Sequence, residues 1–336
     1  MKKVSIHDVA KRARVSIATV SRVINNNYYV KPDIVARVKR AVKETDYYPD
    51  TIARGMRSRK SYAIGYVVSD ISNSYFTVAA KAVEEALGNE GYSLIVCSTG
   101  DDINKEANQL RLLMSKKVDG LIINSSGLND GMVVSLSHQV PVVLLSRKIG
   151  LPSFAGDFVG CDEFRGTYEL GRYVLAMGHR RIGLIRGPDT FSTGVERFNG
   201  FMTALREGDV NLPKSMIYYG DHRQQSGLDG ARALLGTAKP PTILVAMNNA
   251  MALGALTYIK QCGLSIPEDV SFAAHGDIIN RELFYVSPTT ISQNSSQEGK
   301  LAGELLMRRI VDNGATPVIA SVPGHLLEGS SIRKIE

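Results

Sequence analysis

Apolar residues recur at helical spacing over the first fifty positions and then give way to short unbroken runs. Ile6, Val9, Ala10 and Ala13 stand at i, i+3, i+4 and i+7, one face of a short helix. Ser5 precedes them with Asp8 three residues on, a capping-box pattern. Arg14-Val15 make a tight break, and Ser16 caps a second helix whose apolar stripe is Val20, Val23 and Ile24. After Asn25-Asn26-Asn27, Pro32 sits where a first helical turn tolerates it. Ile34, Val35, Val38 and Val42 give a third helix, stopped by Tyr47-Tyr48-Pro49. Three short helices around one core, the first two joined by a short turn, predict a helix-turn-helix module.

From Tyr62 the pattern alternates between strands and helices. Apolar runs at 63–68, 93–97, 118–123 and 140–145 read as four strands. Phe76, Ala79, Ala80, Val83 and Leu87 stripe one intervening helix, and Leu110, Leu113 and Met114 another. A second series begins near Asp162, with strands at 181–186, 242–246 and 270–274. Repeated βα units with fully apolar strands predict parallel sheets covered on both faces. Two series imply two lobes with a cleft between them.

Composition narrows the class. At 336 residues the chain suits two or three domains. Cys97, Cys161 and Cys262 are odd in number and far apart, which argues against a disulfide framework and for a reducing compartment. No metal-type CxxC or HExxH spacing, phosphate loop or GxSxG elbow occurs, so neither a cofactor, a metal site nor an enzyme is expected. Ser331-Ile332-Arg333-Lys334 matches a bare SxxK string without any supporting motif. No apolar run approaches the ~20 residues of a membrane span, and a soluble cytoplasmic protein is expected.

Charge separates the two parts. Residues 1–60 hold 15 Lys and Arg against 5 Asp and Glu, while the rest of the chain is slightly acidic. A basic head on a near-neutral body is the electrostatic footprint of a nucleic-acid module. In a helix-turn-helix the N-terminal residues of the second helix meet base edges. Here those are Ile17, Ala18 and Arg22, flanked by Ser16, Thr19 and Ser21. Arg22 can fork onto a guanine or rest on a phosphate, whereas Ile17 and Ala18 suit a thymine methyl. The hydroxyls, including Ser5, and Asn25 suit phosphates.

Ser5-Ile6-His7-Asp8-Val9-Ala10, then Val15 through Asn25, resembles the headpiece of the lactose-repressor (LacI/GalR) family of transcription factors. So does Tyr48-Pro49 followed by Ile52-Ala53-Arg54-Gly55-Met56-Arg57. Gly178 through Gly183, Gly187-Pro188, Arg197 through Phe201, Asn248 through Leu256 and Pro288 through Gln293 resemble the sensor domain of that family, which has a periplasmic-binding-protein-like fold.

The resemblance implies a headpiece over 1–49, a hinge helix and linker over 50–60, and a two-lobed effector-binding and dimerisation domain over 61–336. It places Ala53, Met56 and Arg57 in the minor groove of a palindromic operator, with Met56 as the apolar wedge. Ligands of open α/β sheets bind at strand carboxyl ends. That rule selects Ser69, Asn124 and Arg147, with Tyr75 and Phe76 beside them, in the first lobe. In the second it selects Asp162, Phe191, Thr193, Arg197, Asn248, Asp277 and Gln293. Amides, carboxylates and a guanidinium around aromatic walls suit a sugar-like effector. Arg197 reads either as an effector contact or as a lobe-packing ion pair, and His275 as a packed or surface histidine rather than a ligand or a switch. The chain departs from the family pattern at Asn249, where an Asp is usual, and at Asp277, shifted by one residue. The C-terminal segment 326–336 carries no heptads, so homodimers and not tetramers are expected.

Overall fold

The computed structural model describes residues 4–25, 28–47, 60–88, 90–312 and 314–335. Its contacts separate two compact units, Met1–Ser61 and Tyr62–Glu336.

In the first unit, α1 (Ile6–Ala13), α2 (Ile17–Asn25) and α3 (Pro32–Thr45) follow the periodicity read from the sequence. Asp8 reaches back to accept from the Ser5 backbone N–H at 2.8 Å and its hydroxyl at 2.7 Å, satisfying an orphan donor of the helix start. Arg14 turns the chain in the left-handed region, φ 54°. The Ser16 hydroxyl then accepts from the Thr19 N–H and caps α2. Val9, Ala10, Ala13, Val20, Val38 and Ala41 form one buried core. Arg37 on α3 donates to the carbonyls of Ala13 and Arg14, tying the turn to the third helix.

The second unit holds two six-stranded sheets. The first sheet contains β1 (Ala63–Val68), β2 (Ser93–Ser98), β3 (Gly120–Ile123), β4 (Val142–Leu145), β5 (Asp157–Cys161) and β11 (Ile319–Val322), in the order β11-β5-β4-β3-β1-β2. It is covered by α4 (Ser74–Gly88), α5 (Ile103–Ser115), α6 (Asp130–Ser137) and α11 (Ser295–Val311). The second sheet contains β6 (Ile182–Arg186), β7 (Ile217–Tyr219), β8 (Ile243–Ala246), β9 (Ser271–His275), β10 (Thr289–Ser292) and β12 (His325–Leu327), in the order β12-β10-β9-β8-β6-β7. Its helices are α7 (Glu163–Ala176), α8 (Ser192–Glu207), α9 (Gln224–Leu235) and α10 (Asn249–Gln261).

The pairing is parallel throughout the first sheet, while β12 joins β10 antiparallel in the second. The expectation of wholly parallel sheets therefore holds except at that edge. A strand reached by a short return from the neighbouring lobe has no crossover helix to set it parallel. The chain crosses between lobes three times, after β5, after β10 and between β11 and β12. Gly299 lets α11 lie against α4, since a Cβ there would overlap the Ala79 backbone. No helix among the described residues is long and apolar enough to cross a membrane.

Candidate functional site

Parallel strands aim their carboxyl ends at a common edge, and in each lobe that edge faces the cleft. A cavity of about 340 Å³ lies there, lined from both lobes. Ser69, Asn124, Ser146 and Arg147 come from the ends of β1, β3 and β4, with Tyr75 and Phe76 from the first turn of α4. Thr193 and Arg197 come from α8, Asn248 from the end of β8 and Gln293 from the end of β10. Nine of the twelve residues expected at an effector site thus line one cavity: Ser69, Tyr75, Phe76, Asn124, Arg147, Thr193, Arg197, Asn248 and Gln293.

Three expected residues stand outside the lining. The Asp162 carboxylate turns back to cap α7, accepting from the Arg165 N–H at 3.1 Å. Asp277 accepts from the Gln293 backbone N–H at 3.3 Å. Phe191 is buried under the guanidinium of Arg147, 3.6 Å from its ring centroid, and stacks on His222. Its contribution is to hold two lining residues in place.

Residues that the sequence reading passed over complete the walls. Ser98 ends β2 and Gly100, Asp101 and Lys105 follow it, and Asp221, His222 and Arg223 follow β7. Asn73 and Asn249 face each other from the two lobes, exchanging Nδ2 to Oδ1 hydrogen bonds of 3.1 and 2.8 Å. Asp101, Ser146 and His222 sit in the left-handed backbone region at φ 59°, 68° and 68°. Such strain in side-chain-bearing residues collects at binding sites.

Electrostatics in the cavity are set by pairs. Arg147 forks onto Asp101 at 2.5 and 3.3 Å and donates to the Ser125 carbonyl. Arg197 forks onto Glu163 at 2.8 and 2.7 Å and donates to the Met247 carbonyl at 3.0 Å. Arg197 is thus ion-paired and also lines the cavity. Burial would raise the Glu163 carboxyl, but Arg197 and His275 beside it hold it well below the usual range. Burial, strengthened by the Glu163 charge and partly offset by the Tyr75 hydrogen bond, lifts Glu298 to about 8. The Tyr75 hydroxyl donates to the Glu298 carboxyl.

Cys161, Glu163 and His275 bring donor atoms within 4.8 Å of one another, all buried. The Glu163 oxygens already accept twice from Arg197 and once from Gln293, and one lies 2.9 Å from His275 Nε2. The group is an ion-pair network with its carboxylate saturated, not an open ligand set. Burial pushes the Cys161 thiol up, away from the thiolate that a metal requires.

On the first unit, Ser16, Ala18 and Arg22 are exposed at the start and along one side of α2, with Ile17, Thr19 and Ser21 half-buried beside them. Ile17 also packs on the core, so its methyls are shared between core and surface. The Ser16 and Thr19 hydroxyls lie 2.9 Å apart. Ser5 is engaged with Asp8. The side chain of Asn25, and all of Ala53, Met56 and Arg57, lie outside the described residues.

A basic three-helix head followed by a two-lobed body with an interlobe cavity matches two family models. One, bacterial regulatory proteins of the lacI family, covers residues 5–50. The other, periplasmic binding proteins and sugar binding domain of the LacI family, covers residues 61–327. The chain belongs to the LacI family. An HTH-type transcriptional repressor PurR from Shigella dysenteriae is 33% identical over 330 residues, 98% of this chain and 96% of that protein.

Among solved structures, a complex of the transcriptional regulator CelR with cellobiose is 27% identical with TM-score 0.72, covering 98% of this chain and 100% of that one. A LacI-family regulator from Enterococcus faecium with bound ribose is 26% identical with TM-score 0.73, covering 82% and 100%. The lac repressor dimer bound to operator and an anti-inducer shares the fold at 24% identity and TM-score 0.82, covering 99% and 100%. Like its family, the chain is a DNA-binding transcription regulator with a ligand-binding sensor domain.

Proposed function

We propose that residues 1–49 read operator DNA, that 50–60 act as hinge, and that the interlobe cavity of 61–336 binds a sugar-like effector that sets operator affinity. The observation that carries the effector role is the cavity itself, walled by side chains of both lobes at strand carboxyl ends. Its amides, hydroxyls and guanidinium N–H groups, with Tyr75 and Phe76 as flat apolar walls, match a compact hydroxylated molecule. The complexes of relatives with cellobiose and ribose support that class. The protein acts by binding, without catalysis.

A ligand held by both lobes stabilises one lobe arrangement over others by its differential contacts. The effect reaches DNA if two protomers pair and the lobe arrangement sets the spacing of their two heads. Exposed apolar side chains supply a face for a second copy on each lobe. Ile71, Ile95 and Val96 lie on the first, and Leu283, Phe284 and Tyr285 on the second. A homodimer then meets a two-fold operator, one head per half-site.

The test is a titration of neutral mono- and disaccharides, ribose and cellobiose among them, against operator affinity. At least one should shift it, and by reciprocity operator should shift the affinity of that sugar by the same factor, typically about 5–150-fold. A panel that leaves operator affinity untouched while none of its members binds the sensor would overturn the assignment.

A further inference from the structure

We propose that Glu163, which the cavity wall hides, determines effector class by neutralising Arg197, so that the site takes uncharged ligands and excludes phosphorylated or carboxylated ones. The inference rests on the effector-site reading and adds to it the charge of the ligand.

Four Lys and Arg side chains line the cavity. Arg147 is paired with Asp101, Arg197 with Glu163, and Arg223 stands 4.0 Å from Asp221. Lys105 is at an exposed position, where water and salt screen it. Of these partners, Glu163 is the one withdrawn from the cavity surface, about 1% exposed, with Arg197 in front of it. A ligand anion at the remaining N–H groups of Arg197 meets a guanidinium whose charge Glu163 already offsets, and to use the full cation it would have to break a two-pronged buried pair. Removing one partner of a buried pair is strongly unfavourable, so the anion gains little that the protein does not lose.

The same pair organises Arg197 for a neutral ligand. A guanidinium carries five N–H groups. Glu163 takes one on Nε and one on Nη2, and the Met247 carbonyl takes one on Nη1. One N–H on each Nη is left for a ligand oxygen. Gln293 gives one amide N–H to Glu163, which leaves its carbonyl oxygen as an acceptor in the same wall. Two donors and an acceptor held by one carboxylate suit hydroxyl groups, which both give and receive. His275 Nε2 lies 2.9 Å from the same carboxylate. Glu163 is thus a positioning residue that acts through Arg197 and Gln293.

The test uses inorganic phosphate as the anion probe, titrated calorimetrically into the full-length protein in a phosphate-free buffer. Wild type should show no saturable binding up to about 10 mM. Glu163→Gln, which keeps the shape and frees the Arg197 charge, should bind phosphate at least about tenfold more tightly than wild type. The double variant Glu163→Gln/Arg197→Gln, a neutral pair that buries no charge, should lose that gain.

A folded Glu163→Gln protein with wild-type phosphate affinity overturns the proposal, as does a double variant that keeps the gain. If Glu163→Gln alone fails to fold, wild type and the double variant decide the matter. Phosphate binding to wild type below about 1 mM that disappears in the double variant contradicts the proposal, and equal weak binding to both supports it. None of these outcomes depends on sugars altering operator affinity, so the effector reading stands or falls separately.

Discussion

Asn73 and Asn249 form a reciprocal amide pair across the cleft, each Nδ2 donating to the other's Oδ1. Asn73 precedes the first helix of one lobe and Asn249 opens a helix of the other, so the pair is a clasp between lobes. Arg223 adds a bond to the Gly100 carbonyl at 3.0 Å, and Lys148 an ion pair with Glu196 at 2.8 Å. An Asp at 249 would lose the donor side of the pair and place a charge beside Asp277.

Alanine at Asn73 or Asn249 should loosen closure. Each partly buried amide bond is worth about 1 kcal/mol and either variant removes both, so effector affinity should fall roughly thirtyfold for either. The double variant should cost less than the sum of the singles, because both remove the same contact. Isothermal titration of the four proteins gives the coupling. Additive effects would show that the pair does not join the lobes in solution.

Arg22 is exposed on α2 and its guanidinium lies 5.7 Å from the Tyr28 ring centroid, so it is free to leave for DNA at small cost. Arg22→Ala should reduce discrimination at one base position of each half-site by about 1–3 kcal/mol if the side chain forks onto guanine. A phosphate role would instead weaken all sequences alike and lower the salt slope by about one per head. Binding to single-base operator variants at two salt concentrations separates the two.

Arg197→Ala leaves Glu163 buried and unpaired, so it should destabilise the sensor by about 3–5 kcal/mol as well as abolish the effector response. Replacing both partners, as in Glu163→Gln/Arg197→Met, should restore most of the stability and none of the response. Urea unfolding of the sensor measures the first effect and operator titration with effector the second. A double variant as unstable as Arg197→Ala would refute the pairing argument.

Acid should destabilise the sensor in two stages, through its buried histidines and then Glu163. Glu298 partly offsets this, since its raised carboxyl adds stability as pH falls from about 8. Burial lowers His179 to about 4, and it also lowers His222 and His275. A histidine whose folded pKa is depressed binds its proton in the unfolded chain first, so its contribution is whole above about 6.5 and declines as pH falls toward 4. Glu163, held low by Arg197 and His275, gives up its contribution only below the ordinary carboxylate range. His179 bridges Thr242 and the Arg333 carbonyl. His179→Gln should therefore lower stability at pH 7.5 but flatten the decline between pH 6.5 and 4. An unchanged slope would remove His179 from the account.

The central strands were legible because their apolar runs are long enough to be buried on both faces, as β1, β3 and β4 are. The strands missed were of two kinds. Tyr219 of β7 and Ile319 of β11 are exposed on sheet edges, and β12 has three residues, so these segments carry no apolar run to find. β5 and β10 are buried, but Asp157, Gly160, Thr289, Thr290 and Ser292 break up any apolar run.

Overlooking β7 concealed Asp221, His222 and Arg223, since the strand-end rule had no strand to act on. Asp162 and Glu163 show a finer limit. Adjacent helix positions differ in direction by about 100°, so one carboxylate caps the helix while its neighbour enters the core. Nothing in the one-dimensional pattern separates them. Glu163 has no sequence signal beyond its proximity to Asp162. The helix-turn-helix, by contrast, is built from local caps and stripes, and nearly all of it was readable.

The central claim, that the basic head reads sequence, is tested most directly by selecting operators from random duplex DNA with the full-length protein at moderate salt. An enriched inverted repeat, with a fixed base pair where Arg22 would lie in each half-site, is the expected result. Recovery of unselected sequence, with affinity falling steeply as salt rises, would show backbone binding alone and contradict it.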